Sequence, residues 1–343
     1  MAGLLGLTRS SEQGEPWLLE PAGAGRRDVT LSVLLTGQAH SATGQVQQFL
    51  TFAESQNVSL SGLWGAYRGD EPVAAALLID GPGRTAMIFV APISRRSPTG
   101  AMAALLKRLC DSIDPKRTRL LQALLDPGQQ RERDALLAAG FNELASLHYL
   151  EHAITRSVTH RASTSIGSGA GSSASSGAGA SIIESSLELD PAWGLKAVRW
   201  SERDKPLFAR AIQASYEATL DCPGLLGLRQ MDDIIAGHMG SGQHIPELWL
   251  TLFHSDEPAA VMLLNLVPSR QAMELVYLGI AKPWRGRGLG GRLVRHALEQ
   301  ARRHEAKSML LAVDEINTPA MALYRKHGFV ATGRKLAMIR VLK

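Results

Sequence analysis

Leu278-Gly279-Ile280-Ala281-Lys282-Pro283-Trp284-Arg285-Gly286-Arg287-Gly288-Leu289-Gly290-Gly291 passes from an apolar strand pattern through a glycine-rich turn into a helix. This layout makes an anion site. Glycines let the backbone turn tightly with its N–H groups facing one concavity, and the helix that starts there adds unpaired donors and the positive end of its dipole. A pyrophosphate is the natural occupant. Two other phosphate-binding layouts do not fit: the lysine-serine ending of a P-loop is absent, and the turn follows a run of antiparallel strands rather than a first strand-helix-strand unit.

Working outward, residues 248–253, 259–266 and 273–280 read as three hairpin-linked strands, parted by Ser255-Asp256-Glu257-Pro258 and Pro268-Ser269-Arg270. Further upstream, 195–200 reads as a short strand and 203–239 as mostly helical, broken near Pro223 and Gly224. Downstream, Leu289, Leu293, Val294, Ala297, Leu298 and Ala301 recur at helical spacing. Residues 308–313 are expected as a strand, 319–327 as a short helix ended by Gly328, and 329–342 as two closing strands.

Arg285-Gly286-Arg287-Gly288-Leu289-Gly290 resembles the acetyl-CoA signature of the GNAT family of N-acetyltransferases: Arg or Gln, two residues, Gly, one residue, Gly or Ala. Asn317, Ala320, Leu323-Tyr324 and Gly328-Phe329 match the family's second signature, in the expected order, and the likeness is close over 248–343. The resemblance implies that backbone amides of Arg285, Gly286, Arg287, Gly288, Leu289, Gly290 and Gly291 hold the pyrophosphate of acetyl-CoA. The strand edge at Leu278, Gly279 and Ile280 would bond the pantetheine arm, with Asn317 also on the cofactor side. It further implies direct attack of a primary amine on the thioester in a ternary complex.

Tyr324 occupies the family's acid position, and a phenol with a reference pKa near ~10 is protonated at neutral pH and can hand a proton to a departing thiolate. A tyrosine packed on the helix with a satisfied hydroxyl is the plainer alternative. Glu274 is the candidate base, because it interrupts an apolar strand where a carboxylate is costly without a task or partner. The alternative is a solvated residue near the strand start. Some relatives place a glutamate on the fifth strand instead, but Leu311-Ala312-Val313 stands there, leaving Asp314 and Glu315 in reserve. The acceptor is expected near Tyr216, Glu217, Thr219, Asp221 and Gln230, by the family's habit of using its first helices for specificity. An ordinary helix end is the alternative for those residues. Cys222 has no evident His and Asp partners and is not read as a nucleophile.

The first half follows the same course. Residues 63–67, 73–79 and 85–90 read as strands, 99–113 as a helix, and a later helix ends in Leu136-Leu137-Ala138-Ala139-Gly140-Phe141, echoing Leu323-Tyr324-Arg325-Lys326-His327-Gly328-Phe329. Pro92 and Gly140 are 48 residues apart, and Pro283 and Gly328 are 45 apart, which points to a divergent internal duplication over a chance likeness of helix ends. The first copy's loop, 92–100, lacks close-spaced glycines, and Leu136 stands where the second copy has Tyr324.

The expected fold is α/β, two tandem GNAT-like domains, each a mixed, mostly antiparallel sheet flanked by helices. A degenerate domain over 1–155 would precede a Ser/Gly/Ala-rich flexible linker over 156–190 and a catalytic domain over 191–343. A tandem with its active copy second is similar to the mycothiol synthases, a likeness that does not carry an acceptor over. The chain of 343 residues suits two cores. Two cysteines make neither a disulfide framework nor a zinc set, and no metal is expected. With no signal-peptide layout and no long apolar run, a cytoplasmic protein without a membrane partner is expected. The net charge is +5, but the arginines are scattered and aromatic residues make up 5%, so nucleic acid is not the expected partner. A small-molecule amine is favoured over a protein N-terminus. The rival reading is a non-catalytic acyl-CoA-binding or protein-interaction module, and the sequence does not address oligomeric state.

Overall fold

The computed structural model describes residues 17–41, 43–95, 97–155, 187 and 189–343. The Ser/Gly/Ala-rich run at 162–181 and Arg96 of the first-half loop lie outside the described residues.

Each half has the same element order. The first runs β1 (Leu18–Pro21), α1 (Arg27–Thr36), α2 (Thr43–Ser55), β2 (Leu63–Arg68), β3 (Glu71–Gly81), β4 (Thr85–Val90), α3 (Ala101–Asp111), β5 (Leu120–Leu125), α4 (Gln130–Ala138) and β6 (Asn142–Ala153). The second runs β7 (Leu195–Arg199), α5 (Lys205–Ser215), α6 (Met231–Met239), β8 (Gln243–His254), β9 (Glu257–Val267), β10 (Ala272–Ile280), α7 (Leu289–Arg303), β11 (Ser308–Asp314), α8 (Thr318–Lys326) and β12 (Val330–Val341).

All twelve strands join one sheet in the order β1-β2-β3-β4-β5-β12-β6-β11-β10-β9-β8-β7. The final strand of each half crosses to the other: β12 pairs with β5, and β6 pairs with β11. The two exchanged strands also pair with each other, antiparallel, at the centre. Their apolar residues follow them, since Met338 and Leu342 are buried in the first core while Leu150 is buried in the second. Among the described residues, only β4–β5 and β10–β11 pair parallel.

The expectation of two closing strands at 329–342 is corrected by the single strand β12. The pairing with β6 shifts register at Ala331/Gly333 and continues beyond it.

In the second half, α7 and α8 cover one face of the sheet over Met273, Leu275, Met309, Leu311 and Val313. The other face carries α5 and α6 over Trp249, Phe253, Val261 and Leu263. Because directly paired residues share a face, the register assigns Glu274, Leu310, Ala312, Tyr149 and Glu151 to that second face.

Candidate functional site

Strands β10 and β11 pair at only three positions, Ala272↔Ser308, Met273↔Met309 and Glu274↔Leu310, and then part. On its other edge β10 stays bonded to β9 up to Ile280↔Ala260, with a register shift at Leu275/Tyr277 that leaves Val276 out of the ladder. The wedge between the parted strands holds a cavity of about 430 Å³, lined by Leu275–Ile280 on one side, Ala312 and Val313 on the other, and Leu323 and Tyr324 from α8. A sheet that opens in this way leaves backbone donors and acceptors along one edge of β10 free to bond an extended ligand.

The glycine turn closes the wide end. Gly286 and Gly288 have φ of 74° and 83°, the left-handed region where a side chain is strained. Gly288 caps the start of α7, no side chain bonds that end, and no acidic residue lies in its first turn. The N–H groups at the start of any α-helix lack intrahelical partners. Gly290 packs closely, because a Cβ there would lie 3.1 Å from Leu323 and 3.2 Å from Ile280.

Two expected cofactor residues have structural duties. The Arg285 guanidinium donates to Ile280 O at 3.0 Å, Ala218 O at 3.1 Å and Ser215 O at 2.9 Å, tying the loop to the end of α5. Its side chain is committed to carbonyls, which leaves the anion to the backbone. Asn317 Oδ1 accepts from Ala320 N at 3.3 Å and so caps α8 while lining the cavity. Arg287 lies over the Trp284 ring at 5.0 Å.

Tyr324 is buried, with its ring edge-on to Phe329 at 5.6 Å. Its hydroxyl has no hydrogen-bond partner among the described residues, and burial, reinforced by the charge of Asp221, pushes the phenol well above its ordinary value. Glu274 is the last paired residue before the strands part and stands next to the lining rather than in it. Its Oε2 accepts from Ser241 Oγ at 2.7 Å. Burial raises its pKa, against lowering by the Ser241 bond and by Arg270.

Among the expected acceptor residues, Thr219 and Asp221 line the cavity. Tyr216 stands behind Tyr277, edge-on at 6.3 Å, and burial pushes its phenol up to about 12. Glu217 pairs with Lys282 at 2.8 Å on the surface. Asp221 is exposed along the cavity wall, and partial desolvation by the surrounding protein raises its carboxyl pKa. Burial pushes the Cys222 thiol up to about 12, which keeps it protonated and inert as a nucleophile.

Sequence reasoning missed Tyr277 and His238. The Tyr277 hydroxyl shares a 2.7 Å hydrogen bond with Ser215 Oγ, and its ring stacks on His238 at 5.3 Å. Burial lowers the His238 pKa to about 4, so the ring is neutral near pH 7. An aromatic residue within a strand reads as core, and no sequence signal separates it from one beside a cleft.

The family model described as the acetyltransferase (GNAT) family matches residues 212–329, which include the splay, the glycine turn and Tyr324. Over 120 residues the chain is 31% identical to the peptidyl-lysine N-acetyltransferase YjaB of Escherichia coli, covering 35% of this chain and 71% of that relative. The chain belongs to the GNAT family. It is also 44% identical over 61 residues to a mycothiol acetyltransferase of Corynebacterium glutamicum, a match that spans 18% of this chain and only 21% of that protein's length. The GCN5-related N-acetyltransferase of Sphaerobacter thermophilus shares the GNAT fold over 96% of both chains, with a TM-score of 0.54 at 14% identity. Among the described residues no helix is long and apolar enough to cross a membrane.

Proposed function

We propose that this chain transfers an acetyl group from acetyl-CoA to a primary amine by direct attack in a ternary complex, using the second half's cleft. The observation that carries the reading is the glycine-lined start of α7, which no side chain caps, opening onto a splayed cavity that ends at Tyr324. The backbone of Gly286–Gly291 would take the pyrophosphate. The open edge of β10 from Leu278 to Ile280 would align the pantetheine arm.

Glu274 would draw a proton from the incoming amine, directly or through water. Only about one part in a thousand of an alkylamine with a pKa near ~10 is neutral at pH 7, so such a base has real leverage. Donors along the open edge of β10, beginning where the bulge frees Val276, are the groups available to steady the oxyanion. When the intermediate collapses, the C–S bond breaks and Tyr324 gives its proton to the thiolate. The burial that raises the phenol pKa raises that of a thiolate formed in the same cavity, so the transfer stays near balance.

The carboxylates near the cleft, Glu274 and Asp221, suit a cationic acceptor. A small-molecule amine is favoured over a protein N-terminus because first-half residues, Arg84 and Leu144, pack against the elements on the second half's acceptor side.

Calorimetry with acetyl-CoA and with S-acetylpantetheine, which lacks the pyrophosphate, tests the site. Tight binding of acetyl-CoA alone is expected. Turnover is then followed as thiol release over glucosamine, a lysine peptide and a peptide N-terminus. The acid limb of kcat/KM should lie above the ordinary carboxylate range and vanish in Glu274→Gln, because activity needs the ionised form of a group whose pKa is raised. Failure of acetyl-CoA to bind at millimolar concentration sinks the reading. Binding without turnover of any amine returns the non-catalytic acyl-CoA-binding module.

A further inference from the structure

The exchange of final strands brings a first-half residue to the second-half cleft. Tyr149, on β6, pairs with Ala312 of β11, and Ala312 lines the cavity from the far side of the splay. Leu310, two residues before Ala312, pairs with Glu274, so Tyr149 and Glu274 flank β11 on the same face of the sheet. That face is open here, with Ala312 exposed and Leu310 and Tyr149 half-buried.

Tyr149 is close enough to Glu274 for the carboxylate charge to add to burial in raising its phenol pKa. The Tyr149 hydroxyl has no hydrogen-bond partner among the described residues; the bond that Thr332 Oγ1 donates at 3.3 Å goes to this residue's backbone carbonyl. A half-buried phenol beside a carboxylate at the vertex of the cleft has a donor and an acceptor to offer a ligand.

The loop after α5 frames the same place. Cys222 N donates to Asp314 Oδ2 at 3.1 Å, and a Cβ on Gly224 would lie 3.0 Å from Leu144 of β6. The acceptor-side loop therefore rests on a strand of the first half. The Pro82–Arg84 turn of the first half also seats α6: Arg84 makes a forked pair with Asp233, with Nη2 to Oδ2 at 2.6 Å and Nε to Oδ2 at 3.0 Å. Two elements of the first half thus meet the second half at its acceptor side.

We propose that the first half completes the acceptor site, with the Tyr149 hydroxyl hydrogen-bonding a cationic amine acceptor and holding it beside Glu274. The inference rests on the acetyl-transfer reading and adds a specificity-determining residue to it. The first copy has lost the loop chemistry of a transferase, and this contact gives it a role in the second copy's reaction.

The test compares wild type, Tyr149→Phe, Glu274→Gln and the double variant, in the full chain, with glucosamine and a lysine peptide as probe amines. Tyr149→Phe should raise the KM for the amine about ten- to a hundredfold, in line with loss of one hydrogen bond to a charged group, and leave the acetyl-CoA Kd unchanged. In kcat/KM, the double variant should fall short of the product of the two single effects, since both groups act on one amine. An unchanged amine KM, or strictly multiplicative effects, overturns the proposal. Wild type that fails to bind acetyl-CoA removes the underlying reading instead. A shift in acetyl-CoA Kd for Tyr149→Phe also overturns it, by marking the residue as support for the cofactor side.

Discussion

The two splays of this molecule are built alike and filled differently. Strands β4 and β5 pair at Thr85↔Leu120, Ala86↔Leu121 and Met87↔Gln122 before parting, just as β10 and β11 pair at three positions. Gly100 precedes α3 at φ 86°, as Gly288 precedes α7 at φ 83°. The contrast lies in the helix that follows. Glu132 of α4 stands eight residues before Gly140, the place Ala320 holds before Gly328. Its buried Oε1 accepts from Ile93 N at 2.5 Å, so one backbone donor of the first loop is taken by a carboxylate of its own chain, beside a cavity of about 450 Å³ that the loop still lines. Leu136, fully buried, fills the position of Tyr324. The strand framework is thus common to the two halves, while the loop and the helix that follows it differ in their residues.

Removing the proposed acid should give the largest effect on this contrast. Tyr324→Phe is expected to lower kcat by about 10²–10⁴-fold with the acetyl-CoA Kd held, read by calorimetry beside steady-state rates. An unchanged kcat would make Tyr324 a packing residue like Leu136.

Transplanting the first half's anion is the next test. Ala320→Glu should weaken acetyl-CoA by on the order of a hundredfold, because two unit charges about 5 Å apart repel by ~3 kcal/mol at an effective dielectric near 20. Binding at wild-type strength would break the account of how the first loop was silenced.

The converse change, Glu132→Ala, leaves the buried Ile93 N–H without its partner and should cost about 1–3 kcal/mol in urea unfolding. Calorimetry should still count one acetyl-CoA per chain. A second equivalent in the variant would show that Glu132 alone separates the two halves.

The smallest expected effect concerns His238. Its folded pKa, about 4, lies below the ordinary 6.5, so its contribution is complete above pH 6.5 and is lost as pH falls toward 4, when the unfolded chain takes up the proton first. Wild type should lose on the order of 2 kcal/mol more than His238→Phe across that window, with the ring's partial exposure discounted. Parallel curves for the two proteins would place the ring in contact with water.

Much of the site was legible because its signals are local. Gly286 and Gly288 announce a turn that other residues enter only with strain, and the periodicity from Leu289 to Ala301 fixes α7 without reference to any partner. Tyr324 was singled out because it stands at the acid position of the family signature that the segment resembles, and the structure buries it on a short helix. Arg285 was legible as a motif residue but not as a tie, since its acceptors at Ser215 and Ala218 lie some seventy residues earlier in the chain.

The sequence by itself determined the repeated element order, the glycine turn, the helix that follows it and the loss of that equipment in the first copy. All of these rest on backbone preference and on which faces of an element are apolar. Only the tertiary structure decided that β6 and β12 change places, that Tyr149 stands across β11 from Glu274, and that the Pro82–Arg84 turn seats α6. Strand alternation specifies which side chains face the core but not which strand lies alongside. The apolar pattern of the exchanged strands does not name a neighbour, so that choice is made by pairing between residues far apart in the chain.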